Sequence, residues 1–189
     1  MENKGILLVV SGPSGVGKGT ICKEILAHNS NLVLSVSATT RKPRSEDTEG
    51  VTYYFKTTEE FQEMATNGEF LEWAVYNGNH YGTPAAPVQK QLESGRDVLL
   101  EIDVQGALEV KKNFPQGLYV FIAPPDKSVL RERLKGRGTE SDTEIERRVS
   151  EAERELSLSP QYDYTIINDD LGKAVAELEK LIALKKEQG

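Results

Sequence analysis

Gly12-Pro13-Ser14-Gly15-Val16-Gly17-Lys18-Gly19-Thr20 follows the apolar run Ile6-Leu7-Leu8-Val9-Val10 and leads into Ile21-Cys22-Lys23-Glu24-Ile25-Leu26. A glycine-rich turn between a buried strand and a helix puts successive backbone N–H groups at the positive end of that helix. A polyphosphate is wrapped there without side-chain obstruction. The apolar run before the turn, and Ile21, Ile25 and Leu26 at helical spacing after it, supply the strand-loop-helix context that a phosphate loop needs. Lys18 stands where an ammonium reaches the outer phosphates. Gly19 departs from the usual pattern, in which a Ser or Thr at that place ligates Mg²⁺. The hydroxyl comes one residue later, at Thr20, which argues against direct metal ligation by the loop.

Working outward from the loop, Leu32–Ser37 alternates in period two and reads as a second strand, so strand, loop, helix and strand open a parallel α/β sheet flanked by helices. Val98–Asp103, Leu118–Ile122 and Tyr164–Asn168 continue it as buried strands. A helix over Leu171–Lys185 presents Leu171, Val175, Leu178, Leu181 and Ile182 to the core. The pattern is interrupted between the second strand and a short helix over Pro84–Ser94. Val51–Phe55 reads as a strand, and Thr57 with Glu60 forms a capping box for a helix ending at Thr66. Glu69–Tyr76 and Asn79–Thr83 flank an Asn77-Gly78 hairpin turn. This antiparallel unit has the character of an inserted subdomain. Later, Lys127–Lys135 and Thr143–Leu156 read as helices around the break Gly136-Arg137-Gly138.

The bulk properties narrow the function. With 23 basic and 30 acidic side chains the net charge is −7, which argues against binding a nucleic-acid polymer by bulk attraction, so any anion site is built locally. Cys22 is the single cysteine and reads as a buried structural thiol, which excludes an intrachain disulfide and suits a reducing compartment. With His28 and His80 the only histidines, no zinc set is expected, and His80 reads as a hairpin surface residue. No stretch is long enough to span a bilayer. These features predict a soluble cytoplasmic protein, monomer or homodimer, without a membrane partner.

Three further stretches carry candidate chemistry, each with two readings. Ser37-Ala38-Thr39-Thr40-Arg41-Lys42-Pro43-Arg44 lacks hydrophobic periodicity and follows a strand end. Arg41 and Arg44 address one phosphate there with their planar forks, or they pair with Glu46, Asp47 and Glu49 in a solvated loop. Glu72, amid Phe70, Leu71, Trp73 and Ala74, offers two acceptors to an edge bearing adjacent donors such as N1-H and the 2-amino group of guanine, or it is an exposed strand residue. Asp103 ends an apolar strand, where it holds Mg²⁺ directly or through water, or caps the following helix. The arginines around Gly136–Gly138 suit a lid closing over transferring phosphates, or a helical hairpin laced by surface ion pairs.

Taken together, Ser11–Thr20, Ser37–Arg44, Tyr81-Gly82-Thr83, Glu101-Ile102-Asp103-Val104-Gln105-Gly106, Gly136-Arg137-Gly138-Thr139-Glu140 and Asn168-Asp169-Asp170 resemble the motifs of the guanylate kinases. The resemblance runs from about Gly5 to Leu184. It implies transfer of the γ-phosphoryl group of ATP to GMP, and to dGMP, in guanine nucleotide synthesis and recycling, with Mg²⁺ accompanying ATP. It also implies a single domain of three parts: a core (1–36, 91–125, 158–189), a GMP-binding subdomain (37–90) and a helical lid (126–157). By motif position Arg41, Arg44, Tyr53 and Tyr81 would hold the GMP phosphate. Ser37, Glu72 and Thr83 would read guanine, with Asp103 close to base and metal. Gly12, Pro13, Ser14, Gly15, Val16, Gly17, Lys18, Gly19 and Thr20 would hold the ATP phosphates, Asn168 would lie near adenine, and Arg137 and Arg148 would approach the transferred group. Since Gly19 lacks a hydroxyl, Mg²⁺ would be held mainly by nucleotide oxygens and water. Two rivals are a scaffold domain of the same fold that binds proteins, and a related kinase for another small phosphorylated acceptor. An intact loop and lid arginines oppose the first, and Glu72 with the paired arginines opposes the second.

Overall fold

Leu7–Ser11 (β1) is buried along its whole length because it lies at the centre of a five-stranded sheet. The computed structural model describes residues 4–126, 128–130, 132 and 142–188. In it β1 pairs in parallel with Asp97–Glu101 (β7) on one side and Leu118–Ala123 (β8) on the other, with Leu32–Leu34 (β2) and Tyr164–Ile167 (β9) outside them. Both faces are covered, so the strands are apolar at successive positions rather than at alternate ones. Leu8 and Val10 of β1, with Val120 and Ile122 of β8, pack on one face against Lys18–His28 (α1) and Leu171–Glu187 (α6). Leu7, Val9, Tyr119 and Phe121 pack on the other against Ala85–Glu93 (α3) and Val104–Asn113 (α4).

Strand β2 stops at Leu34, short of the Ser37 expected from its alternation. The Ser35 N–H still reaches the Leu99 carbonyl at 2.9 Å, but beyond it the chain leaves to feed a second sheet. That sheet has the order β4-β3-β6-β5, built from Ala38–Thr39 (β3), Tyr54–Phe55 (β4), Phe70–Tyr76 (β5) and Asn79–Pro84 (β6). Of the strand expected over Val51–Phe55 only the last two residues join the sheet; Tyr53 makes an isolated bridge with Glu49, and the N–H groups of Val51 and Thr52 turn back onto the Thr48 carbonyl. Between β4 and β5, Thr58–Thr66 (α2) begins with the expected reciprocal cap: Thr57 N–H donates to Glu60 Oε2 at 2.7 Å, and Glu60 N–H donates to Thr57 Oγ1 at 3.2 Å. The β5–β6 turn puts Asn77 at φ 48° and Gly78 at φ 75°, the two left-handed positions that a tight two-residue hairpin requires. His80 is not a surface residue of the hairpin, since its ring packs on Phe61 and Trp73 with centroids 5.2 and 6.1 Å away.

Asp142–Leu156 (α5) packs Val149 and Ala152 on the α1 side of the core and Leu156 on the other. The lid break around Gly136-Arg137-Gly138, and with it Arg137, lies outside the described residues. Among the described residues no helix is long and apolar enough to cross a membrane.

Candidate active site

The loop between β1 and α1 is shaped from behind as well as by its own glycines. Gly17, at φ 93°, caps α1, and a Cβ there would lie 2.6 Å from the Nδ2 of Asn168. That amide donates to the Val16 carbonyl at 2.7 Å from a site only 7 % exposed. The expectation put Asn168 near adenine; what its Nδ2 contacts in the structure is the loop backbone. Lys18 curls back so that its ammonium donates to the carbonyls of Gly12 and Pro13, the latter at 3.0 Å. Loss of water lowers its pKa, opposed by the carboxylates of Glu155, Glu101 and Asp103. From α5, Arg148 reaches across and donates to the Ser14 hydroxyl. Ser14, Gly19 and Thr20 are exposed on the outer side of the loop, while Gly12, Pro13 and Val16 are buried and Gly15 is half-buried.

Gly19 has a neighbour that the sequence did not single out. A Cβ at Gly19 would sit 3.4 Å from Glu101 Oε1. The carboxylate at the end of β7 therefore lies within van der Waals reach of the point where a loop side chain would begin. Glu101 keeps an exposed edge, yet the walls around it raise its carboxyl, against the pull of Lys18. Cys22, one turn into α1, is buried, and desolvation pushes its thiol up to about 12. It is a packing residue.

Strand β7 ends at Glu101, two residues earlier than expected, because Asp103 serves as the cap of α4. Its Oδ1 accepts from the Gly106 N–H at 2.7 Å. Gly106 in turn lets β5 approach: a Cβ there would be 3.1 Å from Glu72 Oε2 and 3.4 Å from Asp103 Oδ1. Glu72 is 9 % exposed and Thr83 fully buried. The Thr83 hydroxyl donates to Glu72 Oε1 at 2.6 Å, fixing the carboxylate in the wall of a cavity of about 270 Å³ that Ser37, Tyr53, Tyr81 and Asp103 also line. Desolvation raises the Glu72 carboxyl, the Thr83 hydrogen bond lowers it, and nearby Asp103 raises it further. The buried reading of Glu72 therefore holds.

At the rim of this cavity Arg41 lies with its guanidinium carbon 5.3 Å from the Tyr53 ring centroid and 5.8 Å from that of Phe55. Tyr53 meets Tyr81 edge-on at 6.0 Å. Asp47 accepts from Arg41 at 2.9 Å and from the Arg44 backbone N–H at 2.7 Å. These two bonds, the backbone one foremost, hold the Asp47 carboxyl below its ordinary range. Arg41 thus has the expected acid partner and also faces the cavity's aromatic wall, while Arg44 is exposed. The structure brings together Ser37, Arg41, Tyr53, Glu72, Tyr81, Thr83 and Asp103 in one region, and Ser14, Lys18 and Arg148 in another. Glu101 and Asp103 stand between the two.

The sequence model for guanylate kinase matches residues 4–185 of this chain. The chain belongs to the guanylate kinase family. A guanylate kinase of Clostridioides difficile is 51 % identical over 183 residues, covering 97 % of this chain and 89 % of that protein. One from Carboxydothermus hydrogenoformans is 52 % identical over 184 residues, covering 97 % and 90 %. The crystal structure of the Anaplasma phagocytophilum guanylate kinase superposes with a TM-score of 0.75 at 32 % identity, covering 98 % of this chain and 88 % of that one. Membership in the guanylate kinases makes this chain an ATP-dependent nucleoside monophosphate kinase, acting by ATP:GMP phosphotransfer.

Proposed function

We propose that the loop of residues 12–20 receives the phosphates of ATP, and that the cavity walled by Glu72, which Thr83 fixes from behind, receives GMP, or dGMP, with its phosphate toward Arg41, Arg44, Tyr53 and Tyr81. The observation that carries the base assignment is the buried Glu72 carboxylate pinned by Thr83 at 2.6 Å. A carboxylate has acceptors only, and guanine presents N1-H and N2-H side by side; adenine would set its N1 acceptor against it and leave a buried charge unpaired.

In the reaction an oxygen of the GMP phosphate attacks the γ-phosphorus of ATP in line. A new P–O bond forms, the bond from the γ-phosphorus to the bridging oxygen breaks, and ADP leaves with that electron pair. The acceptor phosphate is largely ionised near neutral pH, so no general base is needed and the protein's work is positioning and charge stabilisation. Lys18 and the loop amides address the outer phosphates of the donor, Arg148 approaches from α5, and Arg41 orients the acceptor. Arg137, by its motif position, joins Arg148. Mg²⁺ fits the donor chemistry between the two halves: Gly19 offers no hydroxyl, and Glu101 with Asp103 would hold the ion, directly or through water. When bound, the ion neutralises charge on the nucleotide phosphates.

A coupled assay of ADP formation with GMP, dGMP, AMP and CMP tests the assignment. Turnover is expected with GMP and dGMP and to be weak with AMP and CMP. Equal turnover of AMP and GMP would remove Glu72 from base selection.

A further inference from the structure

Helix α4 has work on two sides. Val104, Ala107 and Val110 pack down on the first sheet, while Gly106, Glu109 and Asn113 lie along the side that looks toward β5 of the second sheet. A cavity of about 410 Å³ opens along that seam, between Trp73 on one wall and Glu109 and Asn113 on the other. Glu72 and Asp103 border both this cavity and the smaller one assigned to the base. At the buried Gly106 the seam narrows to contact. A Cβ there would have Glu72 Oε2, Asp103 Oδ1 and Glu72 Cδ as its three nearest neighbours, at 3.1, 3.4 and 3.5 Å. No apolar core side chain is among the three. What the missing methyl spares is therefore the carboxylate of the base site, and specifically the oxygen that Thr83, bonded to Oε1 at 2.6 Å, does not hold.

Glu72 is thus set from two sides that belong to different parts of the fold: Thr83 of its own sheet at Oε1, and the bare first turn of α4 at Oε2. We propose that Gly106 is a positioning residue of the base site, a stop on α4 against which the Glu72 carboxylate seats. It acts through Glu72. A methyl at this place would force Oε2 to give by a few tenths of an ångström, and the acceptors offered to the base would move with it. The acceptor nucleotide would then sit differently toward the donor, which costs rate as well as affinity. The backbone itself is indifferent to the change: Gly106 lies within a helix, and its N–H, which donates to Asp103 Oδ1 at 2.7 Å, is kept by alanine. The inference rests on Glu72 being the group that reads the base.

Gly106→Ala tests it, by steady-state kinetics and a thermal melt on the intact enzyme. The value of kcat/KM for GMP is expected to fall roughly tenfold, since a misplacement of about 1 Å costs about a hundredfold, while KM for ATP stays within about twofold. The melting midpoint is expected to hold or to rise, by up to about 4 °C, because alanine restricts the unfolded chain where the folded backbone accepts it. A glycine needed for packing alone would give the reverse, so a midpoint below that of wild type, or a variant that does not fold, overturns the proposal. A loss of less than about threefold with GMP, or an equal rise in KM for ATP, overturns it too. Shortening the carboxylate supplies the rescue. In a Glu72→Asp background, where the carboxylate is one CH₂ further back, the added methyl is expected to cost less than about threefold more, and a larger further loss overturns the proposal. Undiminished GMP turnover by Glu72→Gln would instead bring down the base assignment, and this inference with it; a harmless Gly106→Ala beside a damaging Glu72→Gln overturns this inference alone.

Discussion

Replacing Glu72 by Gln alters one atom and one charge in the wall of the base cavity, and its consequence for catalysis follows from the surrounding bonds. Thr83 donates to Oε1 at 2.6 Å and so fixes the orientation of the side chain. The free lone pairs of the carboxylate are left for two donors of the base edge. An amide in the same place keeps one acceptor and turns an NH₂ against the second donor. Loss of a charge-assisted hydrogen bond costs about 1.5–3 kcal/mol, and two opposed donors left unsatisfied cost about 1–3 kcal/mol more. The sum, about 2.5–6 kcal/mol, predicts a fall in kcat/KM for GMP of roughly 10²- to 10⁴-fold. KM for ATP should stay within about twofold, because the phosphate loop belongs to the other sheet. The loss should be smaller with IMP, whose base lacks the 2-amino donor. Stability should not fall, since desolvation already disfavours the ionised Glu72 and Gln removes that charge. Coupled kinetics with GMP, IMP and varied ATP, alongside a thermal melt, give every quantity needed. A folded Glu72→Gln protein that loses less than threefold with GMP, or that loses equally with IMP, would refute the reasoning.

Three other outcomes follow. Asn168→Ala removes the amide that donates to the Val16 carbonyl at 2.7 Å, a buried hydrogen bond worth about 1 kcal/mol; KM for ATP should rise at least several-fold with KM for GMP little changed, which steady-state kinetics would show. Asp97, 1 % exposed, accepts from the Ile6 N–H at 3.1 Å, from Asn31 Nδ2 at 3.3 Å and from Lys186, so Asp97→Ala should cost about 3–5 kcal/mol and lower Tm by about 6–20 °C without altering base preference. Burial pushes the Glu155 carboxyl from 4.5 up to about 7, so the folded chain holds that proton more tightly than the unfolded one. This group's contribution is then full below about pH 4.5 and is lost as pH rises to about 7. Gln at 155 should therefore gain stability relative to wild type over that window, by about 1 kcal/mol after allowance for solvent screening, and a pH-independent gap in urea midpoints would contradict it.

The sequence displayed most clearly what is local or strongly periodic. Helix α1 runs over Lys18–His28 as its apolar spacing predicts, the Thr57–Glu60 cap forms, and Asn77-Gly78 closes the hairpin. Strand β3 was illegible because it is two residues long, lies in a polar run and owes its conformation to β4 and β6, more than a dozen residues away in the chain. The same physics shortened the strands expected over Leu32–Ser37 and Val51–Phe55, where a change of sheet and a turn at Thr48 override propensity. In the site, Glu72 and Arg41 were visible as candidates and Asp47 as one of three nearby acids for Arg41, while Thr83 came only with the family resemblance; that its hydroxyl fixes Glu72 is a matter of strand register across the β5–β6 pair. Glu101 and Glu155 gave no signal of their own: one reads as a strand residue and the other as an ordinary acid on a charged helix. The pairing of Glu101 with Gly19 was in principle available, since an acid ending the strand beside the loop is a natural complement to a missing hydroxyl.

The bond from Asn168 to Val16 spans 152 residues of chain, and this bears on how the protein is made. As the chain emerges from a ribosome, the glycine-rich loop appears well before the amide that supports it, which follows directly on strand β9. Strand β1 must also wait for β7 and β8 before it has a neighbour on either side. A nascent chain therefore carries the loop motif through the synthesis of 152 further residues before this support can form. Cellular ATP cannot nucleate this fold early, and acts as a folding ligand only once β9 has docked.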